Sequence, residues 1–245
     1  MPRTPRVDVA GHCYHVINRA NARFRMFRKG ADFEAFERVL EEAVFRADGS
    51  VSLLAYCVMG NHWHLVIQTH AHRAMGQMMR WLTTTHAGRY RVAHSRKDQD
   101  GIGHLYQGRY KSFLIEDDPH LLSVCRYVER NAARASLVER AEDWRWSSLW
   151  RWREGPRNQG DESTAMLAPW PVSATGVRDK ARFNRPRQWL RTVNTPLNEA
   201  ELEALRLAIG RGRPFGGDAW VARMVTRHGL ESTMRSPGRP RKAAG

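Results

Sequence analysis

Hydrophobic positions change their period along the chain, and each change marks an element. "HCYHVINRA" (12–20) is rich in β-formers and alternates loosely, which predicts a strand. In "ADFEAFERVLEEAVFRA" (31–47), Phe33, Phe36, Val39, Leu40, Ala43 and Val44 recur at helical spacing, so an amphipathic helix is expected. "VSLLAYCVM" (51–59) is a strand of the buried type, "GN" makes a turn, and "HWHLVIQT" (62–69) is the next strand. A second helix is predicted through "AMGQMMRWLTTTHAGRYRVAH" (74–94), followed by a polar loop at 95–103. "HLYQGRYKSFLIE" (104–116) reads as a short hairpin or as a strand broken at Gly108.

The third helix carries boundary signals. "DDPHLLSVCRYVERNAARA" places Asp118 at the N-cap and Pro119 at the first helical position. Strand–helix–strand–strand–helix–strand, plus this helix, is a split βαβ order. The expected fold is therefore α+β and ferredoxin-like, with helices on an antiparallel sheet, over residues 1–152. Residues 153–193 are expected to be a linker and irregular segment, and 194–245 a helical extension with a basic tail. In that extension Thr195 and Pro196 open a helix that Gly210 ends, and Asp218 opens another that Gly229 ends.

Composition narrows the class. The chain has 245 residues and is 42% hydrophobic, enough for one sizeable core and an appended smaller unit. No run approaches the ~18 apolar residues of a membrane span, and "MPRTPRVDVAGH" lacks the apolar core of a signal peptide. A cytoplasmic protein with no membrane partner is the expectation. Cys13, Cys57 and Cys125 are widely spaced without a CxxC pair, which fits structural thiols in a reducing compartment. Charge says more: 40 Lys+Arg against 25 Asp+Glu give +15, mostly from arginine. A protein this basic suits a polyanion, because neutralising phosphates releases counterions. Charge alone also fits a ribosomal or membrane-surface role.

"MGNHWHLVI" (59–67) holds the candidate chemistry. Side chains at i and i+2 of a strand share a face, so His62 and His64 can converge on one ion. Alone, the pair fits a metal site or packed histidines, and a metal needs a third ligand from elsewhere. The third helix offers Tyr127 and Asn131, four residues apart on the flank of a buried stripe of Leu121, Cys125, Val128 and Ala132. Arg130 and Arg134 adjoin them. A tyrosine at such a boundary fits an amphipathic packing role, but a phenol beside an amide oxygen and two guanidiniums is also a kit for attacking a phosphodiester. Arg19, Arg23, Gln107, Arg109 and Lys111 are further candidates for DNA contacts. The tryptophans of "DWRWSSLWRW" are read as packing onto the domain, with base stacking the alternative. "PGRPRK", with Arg239 and Arg241, resembles an AT-hook core or serves as a nonspecific basic arm.

Together "PRVDVAGHCYHVINRANAR", "NHWHLVI", "YQGRYKSFLIEDD" and "LLSVCRYVERNAARASLVERAEDWRWSS" resemble the REP-associated tyrosine transposases. These belong to the single-tyrosine HUH class and are relatives of the insertion-sequence transposases that move as single-stranded DNA. The resemblance is close over roughly residues 1–150, and the C-terminal segment resembles the extension of longer members. It implies that His62, His64 and Asn131 hold Mg²⁺ or Mn²⁺ and that Tyr127 is the nucleophile. The implied activity is that of a single-strand DNA endonuclease and strand transferase, acting on hairpin elements through a 5′-phosphotyrosine, as a monomer or homodimer. The chain departs from many relatives at Gly60 and Ala132, where proline is common; Ala132 should let the third helix run past Asn131. Tyr106 replaces a common tryptophan, leaving an aromatic platform. A non-catalytic nucleic-acid-binding protein on the same scaffold is the rival reading. A replication-initiator or relaxase type is disfavoured, because "CRYVERN" lacks a paired tyrosine.

Overall fold

The computed structural model describes residues 6–94, 103–117, 119–155, 166–168, 186 and 188–235. Four strands, β1 (Cys13–Arg19), β2 (Val51–Met59), β3 (His62–Thr69) and β4 (Lys111–Ile115), form one sheet in the order β2-β3-β1-β4. All three pairings are antiparallel. With α1 (Gly30–Arg46) between β1 and β2, and α2 (Ala74–His94) between β3 and β4, this is the ferredoxin-like topology. The remaining helices are α3 (Pro119–Glu129), α4 (Asn131–Arg134), α5 (Ser148–Glu154), α6 (Trp189–Asn194), α7 (Glu199–Arg211), α8 (Asp218–His228) and α9 (Glu231–Met234).

Alternation along the strands splits the interior into two cores. Tyr14, Val16, Tyr56, Val58, Trp63, Leu65 and Leu114 meet Phe36 and Leu40 of α1 and Met75, Met79 and Leu82 of α2. On the other face Cys13, Cys57, Val66, Phe113 and Ile115 meet Leu121, Val124, Cys125 and Val128 of α3 and Leu205 and Ala208 of α7. Burial on both faces explains why β2 reads as a continuous apolar run. That run also hides a β-bulge: Leu53 pairs with Ile67 but Ala55 with Val66, so Leu54 has no partner position. The bulge sets Cys57 opposite His64 and Met59 opposite His62.

Both sheet edges are closed. On β2, Val58 N–H donates to the Trp146 carbonyl at 2.9 Å and Tyr56 N–H to Ser148 Oγ at 3.0 Å. On β4, Phe215 N–H donates to the Leu114 carbonyl and Glu116 N–H to that of Phe215, both at 2.9 Å. Unpaired ladder groups that would template aggregation are thus satisfied. Trp146 stacks on Phe33 at 4.8 Å and Trp144 Nε1 donates to the Val58 carbonyl at 2.9 Å, so these two tryptophans pack on the domain. The three cysteines are buried free thiols.

Several boundaries differ from expectation. The third helix breaks at Arg130 into α3 and α4, although Arg130 and Arg134 keep i−4 bonds to Arg126 and Arg130. Asp118 lies outside the described residues. In 104–116, Tyr106 bridges Ala20 and Gln107 N–H donates to the Arg19 carbonyl, so the stretch is a strand broken around Gly108. α6 occupies part of the segment expected to be irregular, anchored by the buried Trp189. α7 starts after Asn198, not at Thr195 and Pro196. Asn198 accepts from Glu201 N–H at 2.8 Å while the Glu201 carboxylate accepts from Asn198 N–H at 3.1 Å, a capping box legible as N-x-x-E. α7 ends at Gly212, whose φ of +72° suits a left-handed cap, rather than at Gly210. α8 spans Asp218 to His228 and is capped by Gly229, as expected. No described helix is long and apolar enough to cross a membrane.

Candidate functional site

His62 and His64 stand on the α3 face of β3, while Trp63 between them is fully buried under α1 and α2. Their rings lie 5.0 Å apart, centroid to centroid. Tyr127 of α3 meets His64 edge-on at 6.0 Å, and Asn131, one turn on, is buried beside it. Arg134 ties the helix residues together. Its Nη2 donates to Asn131 Oδ1 at 2.9 Å and to Tyr127 Oη at 3.2 Å, and its guanidinium lies 4.7 Å from the Tyr127 ring centre. Five of the residues singled out from sequence, His62, His64, Tyr127, Asn131 and Arg134, thus converge.

The helix carrying Tyr127 is pinned from beneath. Glu129 is fully buried; its carboxylate accepts from Ser148 Oγ at 2.6 Å and Trp189 Nε1 at 2.7 Å. A buried carboxylate with two charge-assisted bonds fixes helix rotation, and so fixes where Tyr127 points.

Both histidines are held neutral. Burial, then the nearby Arg19 and Arg134 cations, lower the His62 pKa to about 4. Burial first, then His62, His15 and the same arginines, push His64 well below its ordinary value. Neutral imidazole is the metal-binding form. The tautomer of His62 follows from its neighbours: its Nδ1 donates to Asn61 Oδ1 at 2.6 Å, and Asn61 is oriented by donating Nδ2 to the Arg23 carbonyl at 3.2 Å. That leaves His62 Nε2 as a lone pair.

His15, on β1, was not singled out from the sequence. It is fully buried, stacks on Phe113 at 4.9 Å, and places Nε2 2.8 Å from His64 Nδ1. Burial lowers its pKa to about 3. For His64 Nε2 to present a lone pair, His64 Nδ1–H must donate to His15 Nε2. The proton of His15 then sits on Nδ1, a buried atom without a partner among the described residues. The signal available in sequence was "HVI" on the strand beside HxH, but pairing register alone decides that the two rings meet.

Two imidazole nitrogens and the Asn131 amide fit a divalent ion in part. Asn131 Oδ1 has a second lone pair besides the one facing Arg134, and its buried Nδ2 is unpartnered. Among the described residues no group of three or more His, Cys, Asp or Glu is placed to hold a metal. The set carries no negative charge and faces two guanidiniums, so a cation would be held weakly until a phosphate adds its own charge.

The other candidates scatter. Arg19 pairs in register with His62 and lies at the site's edge. Arg23 is exposed on a turn whose carbonyl holds Asn61. Arg130 turns away, its Nε 3.5 Å from the Asn194 carbonyl. Gln107, Arg109 and Lys111 are exposed around a cleft on the β4 side. Arg239 and Arg241 lie outside the described residues. Tyr106 is not a platform: it is buried, its hydroxyl bonded to His86 Nδ1 at 2.6 Å and to Trp63 Nε1 at 3.2 Å, because a phenol fits between those two core rings.

Residues 8–131 match the family described as "Transposase IS200 like". Among solved structures the chain is similar to a REP-associated tyrosine transposase bound to a REP hairpin, at 15% identity over 76% of this chain and 99% of that one, TM-score 0.45. It is also similar to a putative transposase from Deinococcus radiodurans R1, at 17% identity over 56% of this chain and 96% of that one, TM-score 0.38. No curated protein matches the chain.

Proposed function

The chain belongs to the IS200-like transposase family, and we propose that it cuts and rejoins single-stranded DNA at hairpin elements of the REP kind, through Tyr127. The observation that carries this reading is the meeting of Tyr127 with the His62–His64 pair across two elements far apart in sequence. A binding scaffold needs none of these groups together.

In the step we assign, Tyr127 Oη forms a bond to phosphorus as the bond to the 3′ oxygen breaks. The phenol gives up its proton and the leaving 3′ oxygen takes one up. The products are a 5′-phosphotyrosine and a free 3′-OH, and a second 3′-OH reverses the step without ATP. Arg134 orients the Tyr127 hydroxyl and supplies positive charge where phosphate oxygens gather negative charge. Glu129 keeps α3 in place, and His15 keeps the His64 ring from turning. His62 Nε2, His64 Nε2 and Asn131 Oδ1 would hold Mg²⁺ or Mn²⁺, which supplies polarisation of a non-bridging phosphate oxygen. Nitrogen ligands favour Mn²⁺ over Mg²⁺.

The test is covalent capture. Hairpin single-stranded DNA, incubated with the protein and Mn²⁺, is expected to give an adduct that migrates with the polypeptide and maps to Tyr127. Tyr127→Phe should lose adduct and cleavage, on the order of 10⁴-fold or more, since only the attacking oxygen is removed. Its hairpin affinity should stay within about twofold. An adduct that survives in the Phe variant moves the nucleophile elsewhere; no adduct with the wild type leaves a DNA-binding scaffold.

A further inference from the structure

The helix that carries Tyr127 presents two neighbouring stripes to two different partners. Tyr127 and Asn131, four residues apart, face the histidines, and Arg134 follows on the same side. Arg126, Glu129 and Arg130, at i, i+3 and i+4, face α6 instead. Trp189 Nε1 donates to Glu129 Oε2 at 2.7 Å. Arg126 Nη2 donates to the Thr195 carbonyl at 2.6 Å and to that of Pro196 at 2.8 Å, and Arg130 Nε lies 3.5 Å from the Asn194 carbonyl.

These bonds answer needs on both sides. Carbonyls at the end of a helix have no partner within it, and Arg126 meets those of α6 with a cation where the helix dipole favours one. Glu129 is fully buried, so each donor that reaches it counts. Its Oε1 accepts from Ser148 Oγ at 2.6 Å, and that Oγ accepts from Tyr56 N–H of β2 at 3.0 Å. α3 is thus held between the β2 edge and α6, at the residue midway between Tyr127 and Asn131. α6 is itself anchored: Asn194 Oδ1 accepts from Ala141 N–H at 3.0 Å, and its Nδ2 donates to Glu142 at 2.6 Å. All of α6 lies past residues 8–131, the stretch that matches the family.

We infer that α6 is a rotational stop for the nucleophile helix, and that Trp189, acting through Glu129, is a positioning residue for Tyr127. The inference rests on the reading that Tyr127 is the nucleophile. Leverage sets the size of the effect. A tyrosine hydroxyl stands roughly 8 Å from the axis of its helix, so a turn of about 7° carries it about 1 Å. Misplacement on that scale costs about 10²-fold in rate. Substrate affinity, which does not depend on where the hydroxyl points, should hardly change.

Trp189→Phe tests this, because it keeps a buried ring and removes the N–H. Single-turnover cleavage of a hairpin, at saturating DNA and Mn²⁺, should fall about 10- to 100-fold while hairpin affinity stays within about twofold. Glu129→Gln should cost a similar factor, and the double variant no more than the worse single, since both act through one contact. Arg126→Gln should lose about 3- to 10-fold and carries the test if Trp189→Phe does not fold. Leu40→Ala, a cavity on the other face of the sheet, is the control: it lowers Tm but should leave the rate per folded molecule near wild type. A second readout needs no cleavage. Fluorotyrosine at position 127 gives a fluorine resonance set by the His64 ring and the Arg134 guanidinium, which Trp189→Phe should shift or split and Leu40→Ala should not. The inference is overturned if Trp189→Phe and Arg126→Gln cleave as fast as Leu40→Ala with the resonance unmoved. Weakened hairpin binding that accounts for the lost rate overturns it too, as does an additive loss in the double variant. Adduct formation by the wild type is scored in parallel. A moved resonance without any adduct sinks the strand-cutting role and keeps the brace. An adduct with rate and resonance unchanged in the variants overturns the brace alone.

Discussion

Strand β3 has two faces, and they use the same residue types for opposite ends. On the side covered by α1 and α2, His86 of α2 is buried among Phe27, Phe36 and Tyr106, its Nδ1 bonded to a phenol hydroxyl. Across the sheet, His64 is equally buried, yet it meets another imidazole and the edge of Tyr127. Burial lowers the pKa of both. A buried neutral histidine is therefore no sign of a metal site by itself. What separates the faces is convergence: His64 has His62, Asn131, Tyr127 and a guanidinium within one neighbourhood, whereas His86 sits among core rings, with His94 stacked beyond Tyr90 and Asp32 paired to His94.

The sharpest way to break this contrast is to exchange losses between the faces. Trp63→Ala should cost about 3–5 kcal/mol of stability, because a fully buried indole leaves a cavity. Its cleavage rate per folded molecule should change far less; chemical denaturation and active-site titration with a trapping hairpin separate the two. His62→Ala should do the reverse. His62 is half-buried, so stability in EDTA should move by under about 1 kcal/mol, while cleavage falls on the order of 10²- to 10³-fold. His64→Ala is a poorer probe, since it also strands His15 Nε2 and should destabilise by about 1–3 kcal/mol. If His62→Ala unfolds like Trp63→Ala, the two faces are alike and the pair is structural.

A smaller effect tests the support behind the site. His15→Gln should weaken Mn²⁺ binding about 10- to 100-fold, the usual range for a residue orienting a metal-binding histidine. Titration calorimetry reads this without cleavage. Because the donor set is uncharged, the same titration on wild type should tighten when hairpin DNA is present, and DNA binding should tighten equally with Mn²⁺. Absence of that reciprocity would place the ion away from the scissile phosphate.

The apolar face predicts a pH effect. Burial depresses the His86 pKa to about 3, and the unfolded chain titrates near 6.5. The native state thus stays neutral while the unfolded state takes up a proton. His86 stabilises fully above pH ~6.5, and its contribution falls as the pH drops toward 3, by about 1.4 kcal/mol per unit. His86→Gln should flatten the acid limb of a Tm-versus-pH curve relative to wild type. The smallest change is expected from truncation after Arg235, which removes Arg239, Arg241 and Lys242. Salt dependence of hairpin binding should flatten by up to about two log–log units, with cleavage at saturating DNA unchanged. Selective loss of A·T-rich duplex binding would mark an AT-hook rather than an arm.

The sequence by itself determined most of the elements and which of the candidate site residues share a face. Period and turn residues delimited β1, β2 and β3 and α1 and α2, because those segments bury one stripe or two faces in regular alternation, while β4 was legible only as part of a longer broken stretch. HxH and Y-x-x-x-N were legible because their spacings put side chains on one face of a strand and of a helix. Tertiary structure alone decided the rest. The bulge at Leu54 sits inside an all-apolar run, where no period records a slipped residue. The His15–His64 contact depends on pairing strands far apart in sequence. Arg130 and Arg134 look equivalent in the chain, yet a break at Arg130 sends one toward Asn194 and the other onto Tyr127. The C-terminal helices were visible as helices, but only packing on β4 brings Arg211 to one cleft with Arg19 and Lys111. Local periodicity encodes which face a side chain takes; only three-dimensional packing encodes which other face it meets.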